Sequence, residues 1–230
     1  MSGDYQIELA SIGGQVTLRD RAYESLRNAI GAMDIYHRNE EVRLDERKLS
    51  HDLGISRTPV REALNILQQQ GFVRSEARRG VFVIRKSKRE IIDMVYSCAA
   101  LESMAARLAC ERATDAQIGS LRGFLTQPDT EYSSESSNEY FVFNIEFHRK
   151  IVLLAQCPVI QSLTNSMFIH LQNIRDRSFA QNRWLSEAIA AYTAIMEALE
   201  VRDAEAADRM IRVHALASVN HINLCGGYLD

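Results

Sequence analysis

The stretch GISRTPVREALNILQQQGF at residues 54–72 decides the fold. Its polar residues recur every three or four positions, which places them on one face of a helix: Arg57, Arg61, Asn65 and Gln68. Its apolar residues fall on the opposite face: Val60, Ala63, Leu64 and Leu67. The stretch therefore predicts a helix that begins near Ser56 or Thr58, is anchored on one side and exposes a polar stripe on the other.

Two more helices are predicted before this stretch. Thr17 is a candidate N-cap for a helix over 17–36, which carries apolar residues at helical spacing. The segment LDERKLSHDLG at 44–54 predicts a shorter helix that starts at Asp45 and ends at Gly54. A short helix followed by a glycine turn and a polar helix is the arrangement of a helix-turn-helix.

A β-hairpin is predicted after Gly71. The segments FVRSE at 72–76 and VFVIR at 81–85 are rich in β-forming residues and flank ARRG at 77–80. Gly80 is expected at or near the turn. Three helices followed by a basic hairpin predict a winged helix-turn-helix.

Charge is distributed unevenly along the chain. Residues 43–89 carry 12 basic and 5 acidic side chains, a net charge of +7. Residues 1–42 carry a net charge of −3 and residues 90–230 a net charge of −7. A basic block followed by a larger acidic one predicts two functions in one chain, the first with a polyanionic partner.

The polar stripe suits the major groove of double-stranded DNA. Arginine can bind guanine through two hydrogen bonds, and asparagine or glutamine can do the same for adenine. Ser56 and Thr58, beside the helix N-terminus, are candidates for binding phosphate oxygens. Basic residues on the preceding helix and the wing are candidates for the DNA backbone or minor groove: Arg47, Lys48, Arg78 and Arg79.

The rest of the chain predicts an all-α second domain. Ser87 and Glu90 have capping-box spacing and open a helix through about Arg112. Further helices are expected at about 114–125, 138–156, 159–179, 185–201 and 203–223. The fold class is thus mainly α, an N-terminal winged helix-turn-helix followed by a helical bundle. The predicted boundaries are a tail at 1–16, the winged helix at 17–86, the helical domain at 87–224 and a tail at 225–230.

Several classes of protein are disfavoured by the sequence. No apolar run approaches the roughly 20 residues that a membrane helix needs, and the N-terminus carries acids where a secretory signal carries a basic head. The four cysteines form no CxxC pair, which argues against a disulfide framework and a zinc ribbon. No phosphate loop, nucleophile elbow or HExxH motif indicates an enzyme. We therefore expect a cytoplasmic protein that is not an enzyme.

The sequence is similar to a known family in two places. LDERKLSHDLGISRTPVREALNILQQQGFV at 44–73, followed by RRGVFV, resembles the DNA-binding domain of the GntR family of bacterial transcription regulators. LESMAARLACERAT, NIEFHRKI and AIMEALEVRDAEAADRMIRVH resemble the FadR-type effector domain, often called FCD. The resemblance implies a homodimer on a palindromic operator, with DNA affinity set by a small-molecule effector. It places Arg47, Arg57, Thr58 and Arg61 at DNA-contacting positions and Arg79 and Gly80 at the wing tip.

The resemblance also implies a divalent metal such as zinc, nickel or manganese in the effector domain. Asn144 and His148, one helical turn apart, fall on the first pair of ligand positions, and His214 falls on the last. The remaining position holds Tyr192, whose neutral phenol is a poor ligand for these metals. A metal site is therefore expected only if two imidazoles and Asn144 suffice.

The effector pocket departs from the family at a second position. An arginine that often binds the ligand carboxylate is replaced by Cys98. Arg175 either lines the pocket or points to solvent, and the sequence leaves both alternatives open. The effector is an organic acid if a metal holds it, or a less acidic compound if the pocket works without a metal.

We expect a repressor that releases its operator when it binds an effector, and two alternative functions remain. One is a DNA-binding dimer whose effector pocket is vestigial. The other is a metal-dependent hydrolase that uses Glu146, His148 and His214. Glu146 lies two residues from His148 and so points to another face of the helix, and this alternative leaves the basic winged helix without a function.

Overall fold

The computed structural model describes residues 16–33, 35–36, 41–125, 136–172 and 182–229. Its N-terminal part is the predicted winged helix-turn-helix. The elements of this part are, in chain order, α1 (Leu18–Gly31), β1 (Arg43–Leu44), α2 (Glu46–Asp52), α3 (Arg57–Gln69), β2 (Val73–Glu76) and β3 (Gly80–Val83). The fold class predicted from the sequence is confirmed.

Side-chain caps fix the starts of the first two helices. Thr17 and Asp20 form a capping box at the start of α1. The Asp45 carboxylate accepts hydrogen bonds from the backbone N–H groups of Arg47 and Lys48, at 2.8 and 3.1 Å. Helix α1 is shorter than the predicted 17–36, because the chain leaves the helix after Gly31 and buries Ile35 in the core.

The wing is a three-stranded antiparallel sheet in the order β1–β3–β2. The predicted hairpin pairs Glu76 with Gly80, and Arg78 in its loop has a positive φ of 64°. Strand β1, which pairs Arg43 with Phe82, was not predicted. It is two residues long, too short for the alternating pattern that identifies a strand.

Among the described residues, the second domain contains seven helices: α4 (Lys88–Arg112), α5 (Asp115–Gly119), α6 (Arg122–Leu125), α7 (Ser136–Leu154), α8 (Pro158–Gln172), α9 (Asn182–Glu200) and α10 (Ala204–Cys225). The predicted capping box of Ser87 and Glu90 is present at the start of α4. The helix predicted over 114–125 is instead two short helices that break at Ser120 and Leu121. The last part of the helix predicted over 159–179 lies outside the described residues.

The two domains share a continuous core. Apolar residues from α1, α3 and the sheet belong to the same buried cluster as residues from α4, α7, α9 and α10. After α10, a short 3₁₀ turn over Gly227–Leu229 buries Leu229 in this cluster, so Leu229, within the segment predicted as a tail at 225–230, packs onto the domain. In the described part of the chain, no helix is both long and apolar enough to cross a membrane.

Candidate nucleic-acid interface and effector cavity

Helix α3 presents the predicted polar stripe to solvent. Its back is fully buried, since Val60, Ala63 and Leu67 have no exposed surface. The stripe and the start of the helix are exposed: Ser56, Arg57, Thr58, Arg61, Asn65 and Gln68. Ser56 is the N-cap of α3, but its side chain makes no hydrogen bond to the helix. Ser56 is thus an exposed hydroxyl beside the helix N-terminus, where a phosphate could bind.

Arg61 is paired with an acid on the preceding helix. Its Nε donates to the Glu46 carboxylate of α2 at 2.6 Å, and the Arg61 side chain remains 59% exposed. Arg47, on the same helix as Glu46, is exposed. The helix-turn-helix thus presents cations to solvent, and the Glu46 carboxylate pairs with one of them.

The wing arginines are held in a similar way. Arg74 and Arg79 both pair with Glu41 and Glu76, and both guanidinium groups lie over the Phe82 ring, at 5.0 and 5.4 Å from its centroid. Gly80 has a φ of 114°, and a Cβ at this position would lie 3.0 Å from the Arg43 Nε. Glycine therefore suits this position both for its backbone conformation and for the space beside it.

The second site is a cavity among α4, α7, α8 and α10. Its volume is about 80 Å³. Most of its wall is apolar, and its polar side chains are few: Cys98, Glu102, His148, His214 and Ser218. An apolar wall with a few polar side chains is typical of a site for a small organic molecule.

Glu102 is the charged residue of the cavity wall. It is only 4% exposed, and its carboxylate bonds to the Nδ1 atom of His148. A buried carboxylate is stable in an apolar site only when it is paired or hydrogen-bonded. The pair fixes the orientation of the His148 ring and leaves its Nε2 atom for another partner.

His214 and Tyr192 surround His148. The two imidazole rings stack with their centroids 5.4 Å apart, and the fully buried Tyr192 ring lies 5.0 Å from His214 and 5.9 Å from His148. Burial, and to a smaller degree the neighbouring His148, lowers the pKa of His214 to about 3. His214 is therefore a neutral imidazole at physiological pH.

The predicted pocket residues are only partly brought together. Cys98 lines the cavity, and burial raises the pKa of its thiol well above the ordinary range, so it stays protonated. Tyr192 lies behind the imidazoles and is not part of the wall. Arg175 lies outside the described residues, as does the side chain of Asn144.

The described residues do not fit a resident metal ion. His148 and His214 lie side by side, and the Glu102 carboxylate on the Nδ1 atom of His148 leaves Nε2 open, as in many metal-binding histidines. Tyr192, however, stands where a third imidazole is expected. Within the described ranges, no group of three or more histidine, cysteine, aspartate or glutamate side chains is placed to hold a metal. The metal implied by the resemblance stays a prediction.

Helix α8 contacts both the cavity and the DNA-binding domain. Phe168 and Leu171 line the cavity. The intervening His170 is buried and stacks on Phe72, in the turn that follows α3, with ring centroids 4.1 Å apart. A Cβ built on Gly31 of α1 would lie 3.1 Å from Ile169 of α8.

Two acidic residues were missed by the sequence reasoning. Glu102 falls within a stripe of small buried residues on α4, including Cys98 and Ala106, and an acid in such a stripe was an available signal. Glu46 carried no such signal. Its role depends on Arg61, 15 residues later in the chain.

The chain is similar to known protein families over most of its length. Residues 18–83 match the model for bacterial regulatory proteins of the gntR family, and residues 93–217 match the FCD domain. The Nta operon transcriptional regulator of Aminobacter aminovorans is 40% identical over 121 residues, which cover 53% of this chain and 57% of that protein. The transcriptional repressor RspR of Escherichia coli is 25% identical over 171 residues, which cover 74% of this chain and 75% of that protein.

A solved structure has the same fold. The structure of McbR/YncC from Escherichia coli superposes with a TM-score of 0.71 at 21% sequence identity. The superposition covers 91% of this chain and 99% of that one. The winged helix and the helical bundle therefore occur together in a known structure in the same chain order.

Proposed function

Since this chain belongs to the GntR family of bacterial regulatory proteins and carries an FCD domain, we propose that it represses transcription from a palindromic operator that it binds as a homodimer. A small molecule in the cavity of the helical domain lowers its affinity for that operator. The protein acts in the cytoplasm, where the DNA is.

DNA binding is supported by the chemistry of the α3 surface. Arg57 and Arg61 extend from a helix whose back is buried, and Thr58 stands at its N-terminus. Guanidinium groups on such a face can read guanine in the major groove while the hydroxyl and the wing contact the backbone.

The observation that carries the proposal is the position of α8. One side of this helix forms part of the cavity wall through Phe168, and the residues beside it, Ile169 and His170, touch the DNA-binding domain. A molecule that displaces Phe168 must move α8 or strain it, because packed interiors deform little. Such a movement changes how α1 and Phe72 are seated, and with them the position of α3.

A homodimer is supported by symmetry and by exposed apolar surface. Two winged helices are needed to read the two halves of a palindrome, and one module buries little surface on DNA. Met104 on α4 and Val213 and Leu216 on α10 are at least half exposed. Two neighbouring helices thus offer apolar side chains to a second copy.

The two rival functions have less support. A vestigial effector site does not account for an apolar cavity that retains a buried carboxylate. For the hydrolase, Glu146 is engaged by Arg149, whose Nη1 lies 2.7 Å from its carboxylate.

The test is selection of genomic DNA fragments by the purified full-length chain, followed by footprinting and a reporter assay. We expect a protected palindrome, and we expect deletion of the gene to raise transcription from it. The Arg57→Ala/Arg61→Ala double variant is the matched control and should give no footprint. Lower transcription after deletion would contradict repression, and turnover of a substrate without DNA binding would favour the hydrolase.

A further inference from the structure

We propose that the effector is an organic cation, a small and largely apolar amine whose ammonium group binds Glu102. This inference rests on the proposed function, because it names the class of molecule that the cavity recognises. It differs from the organic acid that the family resemblance suggests.

The cavity wall supplies apolar surface and negative charge. Glu102 is its one carboxylate, and no lysine or arginine belongs to the wall among the described residues. The position from which the family often extends an arginine holds Cys98, whose thiol is uncharged. A carboxylate ligand would therefore find no described cation to bind and would lie beside a buried negative charge.

Glu102 has unused capacity to accept hydrogen bonds. Its Oε2 atom is hydrogen-bonded to the Nδ1 atom of His148, and no other hydrogen bond from the described residues reaches this carboxylate. An ionised carboxylate has about four acceptor positions on its two oxygens. An ammonium group carries three donors and a compensating charge, so it suits the remaining positions.

The imidazoles lie beside the carboxylate. Glu102 is bonded to the Nδ1 atom of His148, so the Nε2 atom is the ring nitrogen left for a ligand. The His214 ring, stacked 5.4 Å away, contributes an acceptor in its neutral form. A donor-rich ligand is therefore better matched to this end of the cavity than an acceptor-rich one.

The rest of the wall suits a hydrocarbon or aromatic body. Val95, Ile145, Leu171 and Ile211 surround the cavity with aliphatic side chains, and Phe168 adds an aromatic ring. An aromatic face also attracts a cation that lies over it. The occupant is thus an amine with one charged end and one apolar end.

The experiment compares three probes that share a phenyl ring: 2-phenylethylamine, 2-phenylethanol and phenylacetate. Binding to the full-length chain is measured by calorimetry and by the shift in melting temperature, in buffer with a chelator. We expect the amine to bind at least about tenfold more tightly than phenylacetate, a difference of about 1.4 kcal/mol, with the alcohol in between.

Two variants assign the preference to Glu102. Glu102→Gln should remove the advantage of the amine and leave the affinity for 2-phenylethanol within about threefold, since a tenfold change would need about 1.4 kcal/mol. Glu111→Gln, which removes an exposed carboxylate from the same helix outside the cavity wall, should keep the order of the three probes. If Glu102→Gln does not fold, the order measured on the unmodified chain decides.

Other results overturn the proposal. They are phenylacetate binding as tightly as the amine, phenylacetate binding only after zinc is added, or no response to any of the three probes. Operator binding by the same preparation is measured by fluorescence anisotropy. This measurement separates failure of the effector proposal from failure of the proposed function. If the chain binds its operator but prefers the acid, only the proposed effector class is wrong. If the chain binds no DNA, the proposed function itself is wrong.

Discussion

On the winged helix, arginines stand in solvent and pair with carboxylates from neighbouring elements, whereas the effector cavity buries one carboxylate among apolar side chains and imidazoles. Arg61 keeps 59% of its side chain exposed beside Glu46, but Glu102 keeps only 4% of its surface exposed beside His148. An exposed pair opens easily for a polyanion such as DNA. A buried carboxylate selects its partner by charge, because leaving it unpaired in an apolar site costs several kcal/mol.

The largest expected effect lies where the two regions meet, at His170 between Phe72 and α8. Burial, and secondarily the nearby Lys86, lowers the pKa of His170 from 6.5 to about 4; Glu90 and a hydrogen bond with the Gln70 backbone act in the opposite direction. The unfolded chain therefore binds a proton below pH 6.5 that the folded chain does not bind until about pH 4. Stability is full above pH 6.5 and falls as the pH drops, by about 1.4 kcal/mol per pH unit and about 3 kcal/mol in total from this residue.

Replacing His170 with phenylalanine tests this acid sensitivity. Phenylalanine retains a ring against Phe72 but does not titrate, so His170→Phe should lose less stability than the unmodified chain between pH 6.5 and 4. The measurement is the free energy of unfolding in urea at several pH values. His51→Gln is the control, since the His51 ring is 90% exposed and should not affect the slope. Equal slopes for the His170 variant and the unmodified chain would show that this histidine does not link pH to stability.

The next effect concerns the exposed side of the comparison. Arg57→Ala and Arg61→Ala should each weaken operator binding by about 1–3 kcal/mol and relax the preference for bases at the positions they contact. Anisotropy with an operator duplex and a scrambled duplex at one salt concentration measures both effects. Arg209→Ala, an exposed arginine on α10, should leave both unchanged. Weakening of both duplexes by the same factor would mean that these arginines contact phosphates.

The difference between the two regions also explains what could be predicted from the sequence. The face of α3 is a local property, because residues three and four positions apart share a side whatever the rest of the chain does. The same holds for the capping box of Ser87 and Glu90. These features were predicted with their residues and are confirmed in the fold.

The features that the sequence did not predict depend on distant parts of the chain. Strand β1 exists because Arg43 and Leu44 reach β3, almost 40 residues later. The break at Ser120 and Leu121 follows from tertiary packing, since Leu121 is fully buried. Glu102 meets His148 across 46 positions. No local period reports such a contact, so the chemistry of the cavity became visible only in the fold.

The next prediction concerns the metal content of the purified protein. Because the described residues supply two imidazoles and a phenol where a third imidazole is expected, we expect protein purified without a histidine tag to contain well under one zinc, nickel or manganese ion per chain. Elemental mass spectrometry measures this content. About one ion per chain would mean that Asn144, His148 and His214 suffice, and the cavity would then resemble the exposed surface in having a cation beside its carboxylate.

The smallest effect is expected at Glu46, where the exposed pair can be opened by substitution. The pair with Arg61 contributes at most about 1 kcal/mol to stability, so Glu46→Gln should fold normally. Removing a negative charge beside the DNA surface should tighten binding to any duplex by a few-fold, equivalent to about 0.5–1 kcal/mol. Because Arg61 also loses the carboxylate that orients it, the ratio of operator to scrambled affinity should fall.

Glu62→Gln separates the role of charge from that of orientation. Glu62 is exposed on α3 itself and forms no ion pair with any residue that the structure describes. Its substitution removes the same charge from the same domain, so it should tighten binding to both duplexes equally. A fall in the affinity ratio with Glu46→Gln alone would show that the exposed carboxylate positions Arg61 for reading bases. A ratio unchanged in both variants would mean that Glu46 acts only through its charge. The exposed carboxylate would then have no part in reading bases, in contrast to the buried Glu102, which we propose selects the ligand.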